Sequence, residues 1–174
     1  MLKFVLHHQD MPIKKMKLSN TLKEQNIIFS LNSNNRSDAI QELLNRLLEL
    51  DYLTATVKLY AFIDSQDKLI NSAVGRGIAY HYSTSIEIDN QLAVLGISKN
   101  GIDYNSPDGQ KVHFILLILD TKEESNLHRK LITRFQHFIN DSNLRSSIID
   151  CSSEKELISL INDWENKHLL NEEF

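Results

Sequence analysis

An α/β fold built on a mixed sheet is predicted by three features of this sequence. Strand-like and helix-like segments alternate along the chain, which indicates helices packed on the faces of a sheet. Residues 112–119 are apolar at nearly every position, a pattern typical of a central strand covered on both faces. Both hairpin-like and crossover connections are predicted, which argues against a purely parallel sheet.

The composition limits the classes of function. The chain has 174 residues, of which 41% are hydrophobic and 24% charged, as in an ordinary soluble domain with one core. Its net charge of -4 argues against broad nucleic-acid binding, and no apolar stretch is long enough for membrane insertion. With Cys151 as the single cysteine and no signal-peptide pattern at the N-terminus, the sequence predicts a cytoplasmic location.

The first half of the chain predicts two strands and two helices. Residues 1–16 are interpreted as an N-terminal extension with an edge strand over 3–6, and 26–31 as the first strand of the domain. Ser37 is predicted to cap a helix whose first turn contains Asp38. Apolar residues then recur at helical spacing, namely Ile40, Leu43, Leu44, Leu47 and Leu48. A second helix is predicted over 54–64.

The second half predicts further strands followed by helices. A glycine-containing turn leads into a short strand within 74–82, and the next strand covers 92–97. Turn signals at Gly101 and at Pro107-Asp108-Gly109 bracket a loop or hairpin. A helix is predicted over 125–140, and a last helix begins at Ser153 and Glu156, which have capping-box spacing.

The segment 72–82 carries the most informative chemistry. Gly75 and Gly77 let the backbone turn tightly and approach a ligand. Arg76 between them can offer charge-assisted hydrogen bonds to a phosphoryl group. His81 can act as a nucleophile through a neutral imidazole nitrogen. Spacing alone also fits a plain turn followed by a structural strand histidine.

His128 is the second candidate because it is predicted at the start of a helix, where the helix dipole disfavours a protonated ring. It can steady a phosphoryl group or tune another imidazole, or simply bond a loop carbonyl. Asp67 and Asp108 are candidates for orienting a histidine or an arginine. Asp108 also suits its own Pro-Asp-Gly turn.

No metal site and no cofactor are predicted. His7 and His8 are interpreted as solvated, and His113 as lying on a strand face. One cysteine and scattered histidines do not form a ligand set. The chain also lacks a P-loop, a dinucleotide fingerprint and a hydrolase elbow.

The sequence resembles the fructose/mannitol-type IIA domains of the phosphoenolpyruvate:sugar phosphotransferase system, particularly the nitrogen-regulatory branch. The resemblance runs from Met16 to Glu165. Its landmarks keep the family order. Gly77-Ile78-Ala79 matches the start of the Gly-Ile-Ala-Ile-Pro-His signature, and His128 matches the second histidine. The other landmarks are the stretches 67–75, 101–104, 108–112 and 152–157, the last at the entry of the final helix.

The resemblance implies a mixed, mainly five-stranded sheet flanked by helices, in a domain over 17–167 with a tail over 168–174. It implies a histidine that accepts a phosphoryl group from an HPr-type carrier. Asp67 and Ser72 fall in the family's approach to the site and are interpreted as supporting residues. Gly75, Arg76 and Gly77 are interpreted as the phosphate-binding turn.

The departures from the signature matter for the mechanism. Without a gap, the family's Pro-His falls on His81-Tyr82, so the acceptor position is Tyr82, and a phosphotyrosine ester lacks the transfer potential of phosphohistidine. A one-residue deletion would place His81 in the acceptor role instead. The family's arginine falls on Gln66, which removes one phosphate-binding cation, and Arg76 is a candidate replacement.

Three functional hypotheses follow. In the first, the protein is a regulatory phosphocarrier in which His81 accepts the phosphoryl group and His128 steadies it, so that catalysis is mostly positioning and charge stabilisation. In the second, it is a IIA-like interaction module that regulates a target protein without phosphotransfer. A sugar-transport subunit is a third and weaker hypothesis, since no attached IIB or membrane domain is visible in the chain.

Overall fold

The computed structural model describes residues 16–124 and 126–170. Five strands form one sheet in the order β1-β4-β5-β3-β2, with bounds β1 Ile27–Ile28, β2 Ala73–Gly75, β3 Ile78–Ser85, β4 Leu92–Ile102 and β5 Val112–Thr121. The pairs β1–β4 and β3–β5 are parallel, whereas β2–β3 and β4–β5 are antiparallel. The predicted mixed sheet and its five strands are confirmed.

Helices cover both faces of the sheet. Their bounds are α1 Leu18–Thr21, α2 Arg36–Glu49, α3 Val57–Leu69, α4 Leu127–Ile139, α5 Ser142–Asp150 and α6 Glu154–Leu170. One core cluster joins the sheet to α1, α4, α5 and α6, and a second cluster joins its other face to α2 and α3. The layers are those expected of an α/β fold with two covered faces.

The apolar strand predicted over 112–119 is β5, between β4 and β3 in the sheet. Every residue of β5 except His113 is buried. Its side chains alternate between the two core clusters, with Leu116 in the first and Leu117 in the second. Burial on both faces explains why this segment reads as a continuous apolar run rather than an alternating one.

The N-cap predicted for α2 is wrong. Asn35, not Ser37, precedes α2, and its side-chain oxygen accepts the backbone N–H of Asp38 at 3.0 Å. Asn35 has the extended backbone of a cap residue, whereas Ser37 lies inside the first turn. Both residue types suit the role, so local sequence did not separate two candidates that are two positions apart.

Other boundaries also differ from the prediction, and one helix was missed. Strand β1 is limited to Ile27–Ile28, although the backbone N–H of Leu31 still donates to the carbonyl of Ile97 at 2.9 Å. Helix α3 begins at Val57 rather than Thr54, because the backbone N–H of Thr54 donates to Glu87 Oε2 at 2.6 Å outside the helix. Helix α5 was not predicted, and its short polar sequence begins at the cap residue Asp141.

The start of the described chain is tied to the last helix. Met16 lies in the core, and the buried Glu165 accepts the backbone N–H of Leu18 at 2.5 Å and the hydroxyl of Ser19 at 2.7 Å. The strand predicted over 3–6 lies outside the described residues, and the boundaries of the extension and the tail stay predictions. Within the described ranges, no helix is long and apolar enough to cross a membrane.

Candidate functional site

Strand β3 sends its two candidate acceptor residues to opposite faces of the sheet. Side chains alternate along a strand, so Tyr80 and Tyr82 share the α4 face while His81 lies on the face covered by α2 and α3. Tyr80 packs edge-on against Phe135 of α4 in the first core cluster. His81 contacts Tyr104, which belongs to the second cluster. Only one of the two adjacent residues can therefore meet His128.

Tyr82 is the residue that meets His128. The two rings are stacked, with centroids 4.2 Å apart and planes 5° apart. Tyr82 is 45% exposed, whereas 11% of the His128 side chain reaches solvent. The stack forms because β3 and β5 run parallel, with Tyr82 beside Ile118, and α4 begins six residues after β5 ends.

A buried carboxylate fixes the ring of His128. Asp120 ends the apolar run of β5 and is 0% exposed. Its Oδ2 lies 2.7 Å from Nδ1 of His128 and accepts the backbone N–H of the same residue at 3.0 Å. Its Oδ1 accepts the side-chain amide of Gln91 at 2.7 Å. Asp120 thus sets the orientation of the ring and places the proton on Nδ1.

On the other face, His81 lies in a buried polar cluster. It is 3% exposed, and its Nε2 lies 3.4 Å from the hydroxyl of Tyr104. Nearby, Asp67 pairs with Arg36 at 3.0 Å and accepts the backbone N–H of Ser72 at 3.0 Å. Asp67 was predicted to orient a histidine or an arginine. In the structure it pairs with Arg36 and binds the backbone that leads into β2.

Burial lowers the pKa of His81 from 6.5 to about 4, because the charged imidazolium loses its hydration. The negative charge of Asp67 opposes this shift, and the positive charge of Arg36 adds to it. Burial also raises the pKa of Tyr104 well above its usual value. The cluster holds its histidine neutral across the physiological range.

A small cleft of about 60 Å³ lies between the end of α3 and β3. Its lining includes Gln66, Ser72, His81 and Tyr82. The buried hydroxyl of Ser72 has no hydrogen-bond partner among the described residues. Gln66, at the position where the resemblance to the family expects an arginine, brings an uncharged amide to this cleft.

The Gly75-Arg76-Gly77 turn lies away from both histidines of interest. Arg76 has a positive φ of 55°, and Asp108 holds it by accepting its backbone N–H at 2.6 Å. The guanidinium donates to the side-chain oxygen of Asn140, just after the C-terminal end of α4. His128 lies in the first turn of that 13-residue helix, and such a helix is about 20 Å long.

The structure therefore divides the predicted site among three places. It stacks Tyr82 on His128 and puts His81 in a polar cluster on the other face, beside a cleft that Tyr82 also lines. The Arg76 turn lies near the opposite end of α4 from His128. Three contributors were missed by the sequence analysis, namely Asp120, Arg36 and Tyr104. Asp120 offered a signal, because an acidic residue directly follows an apolar strand, whereas Arg36 and Tyr104 are remote in sequence from their partners.

The remaining candidates have structural contacts. Asp108 serves its turn as predicted, accepting from the Ser106 hydroxyl at 2.8 Å and from the backbone N–H of Gln110 at 3.1 Å. His113 lies on β5 with its Nδ1 2.8 Å from the carbonyl of Ser98. Over the described part of the chain, no group of three or more histidine, cysteine or acidic side chains could hold a metal ion.

Comparisons with known proteins agree with this fold. The crystal structure of nitrogen regulatory protein IIA-Ntr from Neisseria meningitidis superposes with a TM-score of 0.73 at 15% identity, covering 82% of this chain and 97% of that one. Mannitol IIA from Escherichia coli gives a TM-score of 0.68 at 17% identity, covering 81% of this chain and 99% of that one. A complex of that enzyme with phosphorylated IIB, from the same organism, also gives 0.68.

Sequence relatives point the same way. A nitrogen regulatory protein from Bradyrhizobium diazoefficiens is 23% identical over 76% of this chain and 86% of its own length. The fructose-specific EIIABC component of Bacillus subtilis is 25% identical over 84% of this chain, which spans only 23% of that protein. The family model for the phosphoenolpyruvate-dependent sugar phosphotransferase system, EIIA 2, matches residues 20–164. The chain therefore belongs to the type-2 IIA family of the phosphotransferase system.

Proposed function

We propose that this protein is a regulatory IIA domain that works by binding protein partners on the face formed by Tyr82 and His128. The proposed partners are an HPr-type carrier and a target protein that the domain regulates. The proposed location is the cytoplasm. One observation carries the proposal: Tyr82 is 45% exposed and stacks on His128, and an ungapped match to the family signature puts Tyr82 at the acceptor position. The family membership and the nitrogen regulatory relative support the regulatory role.

The surface near Tyr82 suits a protein partner. Val74 on β2 is half-exposed, and Leu69 and Ile70 at the end of α3 are largely exposed. Ile70 and Tyr82 line the same small cleft, so this apolar surface continues to the ring. A rigid, half-exposed tyrosine is a frequent anchor in protein interfaces. A related fold, the mannitol IIA enzyme, forms a complex with phosphorylated IIB.

Transfer through His81 is the competing proposal, and the cleft that His81 shares with Tyr82 is its support. A phosphoryl donor would have to reach a ring that is 3% exposed. Phosphorylation would also place a doubly charged group in a cluster that already contains Asp67. We therefore assign His81 to the structure of the domain rather than to the phosphoryl pathway.

Binding of a labelled HPr-type carrier to purified variants tests the proposal. Tyr82→Ala should weaken binding about tenfold or more, because it removes the central ring of the interface. Phe62→Ala is the matched control, since Phe62 has a similar exposure of 47% on α3. Equal affinities for the wild type and Tyr82→Ala would contradict the proposal, as would the absence of any carrier binding by the wild type.

A further inference from the structure

We infer that Nε2 of His128 is the phosphoryl acceptor of this protein. The inference rests on the proposed function, because an HPr-type carrier must dock on the Tyr82 face to deliver the group. Neither the family signature nor the sequence analysis assigns this role to His128, which was expected only to steady a phosphoryl group on another residue. The geometry of three residues carries the argument: His128, Asp120 and Tyr82.

Asp120 determines which nitrogen of His128 is available. The carboxylate Oδ2 lies 2.7 Å from Nδ1, so the neutral ring carries its proton there and keeps the lone pair on Nε2. The carboxylate is itself fixed by Gln91 and by the backbone of α4. A carboxylate–imidazole pair of this kind holds a catalytic ring in one tautomer and one orientation.

Tyr82 leaves that lone pair free. The tyrosine ring stacks on a face of the imidazole, with planes 5° apart, whereas the lone pair of Nε2 lies in the plane of the ring. Within the described ranges, Nε2 has no hydrogen-bond partner. The side chain is 11% exposed, and its Nδ1 side is the one bonded to the buried Asp120.

The alternatives are weaker acceptors. His81 is 3% exposed, against 8% for His128, and it lies on the other side of the sheet, away from the exposed ring of Tyr82. Tyr82 is exposed, but its phosphate ester would not pass the group on as a phosphohistidine does. Among the histidines in the described part of the chain, His128 alone combines an orienting carboxylate with a contact to the exposed Tyr82.

The transfer balances without another reactant. Nε2 of His128 attacks the phosphorus of the carrier's phosphohistidine. The new P–Nε2 bond forms as the carrier's P–N bond breaks, and the carrier's ring nitrogen keeps the electron pair. The proton on Nδ1 stays between His128 and Asp120, whose negative charge offsets the positive charge that develops on the phosphorylated ring.

Labelling with phosphoenolpyruvate, enzyme I and an HPr-type carrier tests the inference in the full chain. The carrier must first be shown to phosphorylate a IIA domain with an intact signature histidine. We expect an acid-labile label that peptide mapping places on His128, and we expect His128→Gln to abolish it. His137→Gln is the matched control, because His137 is exposed on the same helix, and it should keep the full label.

Asp120→Asn separates positioning from folding. The amide preserves the shape of the side chain but no longer fixes the proton on Nδ1, so labelling should slow by about tenfold or more. Circular dichroism and carrier binding should stay near the wild-type values. A labelling rate equal to that of the wild type would show that the carboxylate does not activate the ring.

Two outcomes separate the inference from the proposed function. If the carrier binds the Tyr82 face but leaves no label on His128, the inference is wrong and the binding module stands. If the carrier does not bind at all, the proposed function is wrong, and the inference is tested without a carrier. Phosphoramidate, a small donor that needs no docking, then decides whether Nε2 is nucleophilic: the inference requires His128 to react about tenfold faster than His137.

Discussion

The two faces of β3 carry the same residue types in opposite settings. On the α4 face, a carboxylate and a histidine, Asp120 and His128, meet at a half-exposed tyrosine. On the α3 face, another carboxylate and histidine, Asp67 and His81, lie near a buried tyrosine and an arginine. The two pairs differ most in the neighbouring tyrosine, since Tyr82 beside His128 is 45% exposed and Tyr104 beside His81 is 3% exposed.

The largest expected effect is on the buried face. Asp67→Asn should lower the free energy of unfolding by about 2 kcal/mol, because it leaves Arg36 with only its longer, more exposed pair to Asp64 and weakens the bond to the backbone of Ser72. Urea denaturation measures the change. Asp64→Asn is the control, since Asp64 pairs with the same arginine at 3.4 Å but is more exposed. If the two variants lose equal stability, the buried cluster does not hold the fold as described.

The next effect is a dependence on pH. The pKa of His81 is about 4 in the folded chain and about 6.5 when unfolded. The neutral His81 therefore contributes its full share to the free energy of unfolding above pH 6.5. That share is lost as the pH falls toward 4, since between these values only the unfolded state binds a proton. Between pH 7 and pH 5, protonation of His81 in the unfolded chain should lower the free energy of unfolding by about 2 kcal/mol.

Urea denaturation at both pH values provides the measurement for this prediction. His81→Gln removes the titrating group, so its stability should fall less over the same interval, whatever its stability at pH 7. An identical loss in the variant and the wild type would mean that other groups produce the acid sensitivity.

A smaller change in stability is expected at the exposed face. Tyr82→His replaces one stacking ring with another, so the free energy of unfolding should change by about 1 kcal/mol or less. The variant puts an imidazole at the position that an ungapped match gives to the family's acceptor, so phosphoryl labelling from an HPr-type carrier should become faster than in the wild type. A labelling rate no higher than that of the wild type would argue that Tyr82 does not occupy the acceptor position.

The smallest effect is expected at the Arg76 turn. Arg76→Gln removes a guanidinium that contacts Asn140, at the opposite end of α4 from His128. Carrier binding and labelling should stay unchanged within error. A tenfold loss of either would show that Arg76 reaches the bound phosphoryl group after all, as the sequence had suggested.

Much of the fold could be predicted because its signals are local. The apolar run of β5 and the helical spacing in α2 and α4 identify elements that are buried in predictable ways. The cap at Asn35 could not be chosen over Ser37, since both residues suit the role. Helix α5 was missed because Ile148 is its only fully buried residue, so its apolar pattern is weak.

The site could be predicted only in part, for a different reason. Period-two alternation establishes that His81 and Tyr82 face opposite ways, but it does not say which face contains His128. That choice depends on where α4 crosses the sheet. The pairing of Asp67 with Arg36 likewise depends on the packing of α2 against α3, which no local sequence pattern predicts.

One measurement tests most directly the claim that the two histidines have separate roles. Imidazole ¹⁵N resonances of His81 and His128 can be followed in the same sample as an HPr-type carrier is added at pH 7. The account predicts that the His128 signals shift with carrier concentration while those of His81 stay at the positions of a neutral, buried ring. Shifts at His81 with none at His128 would contradict it.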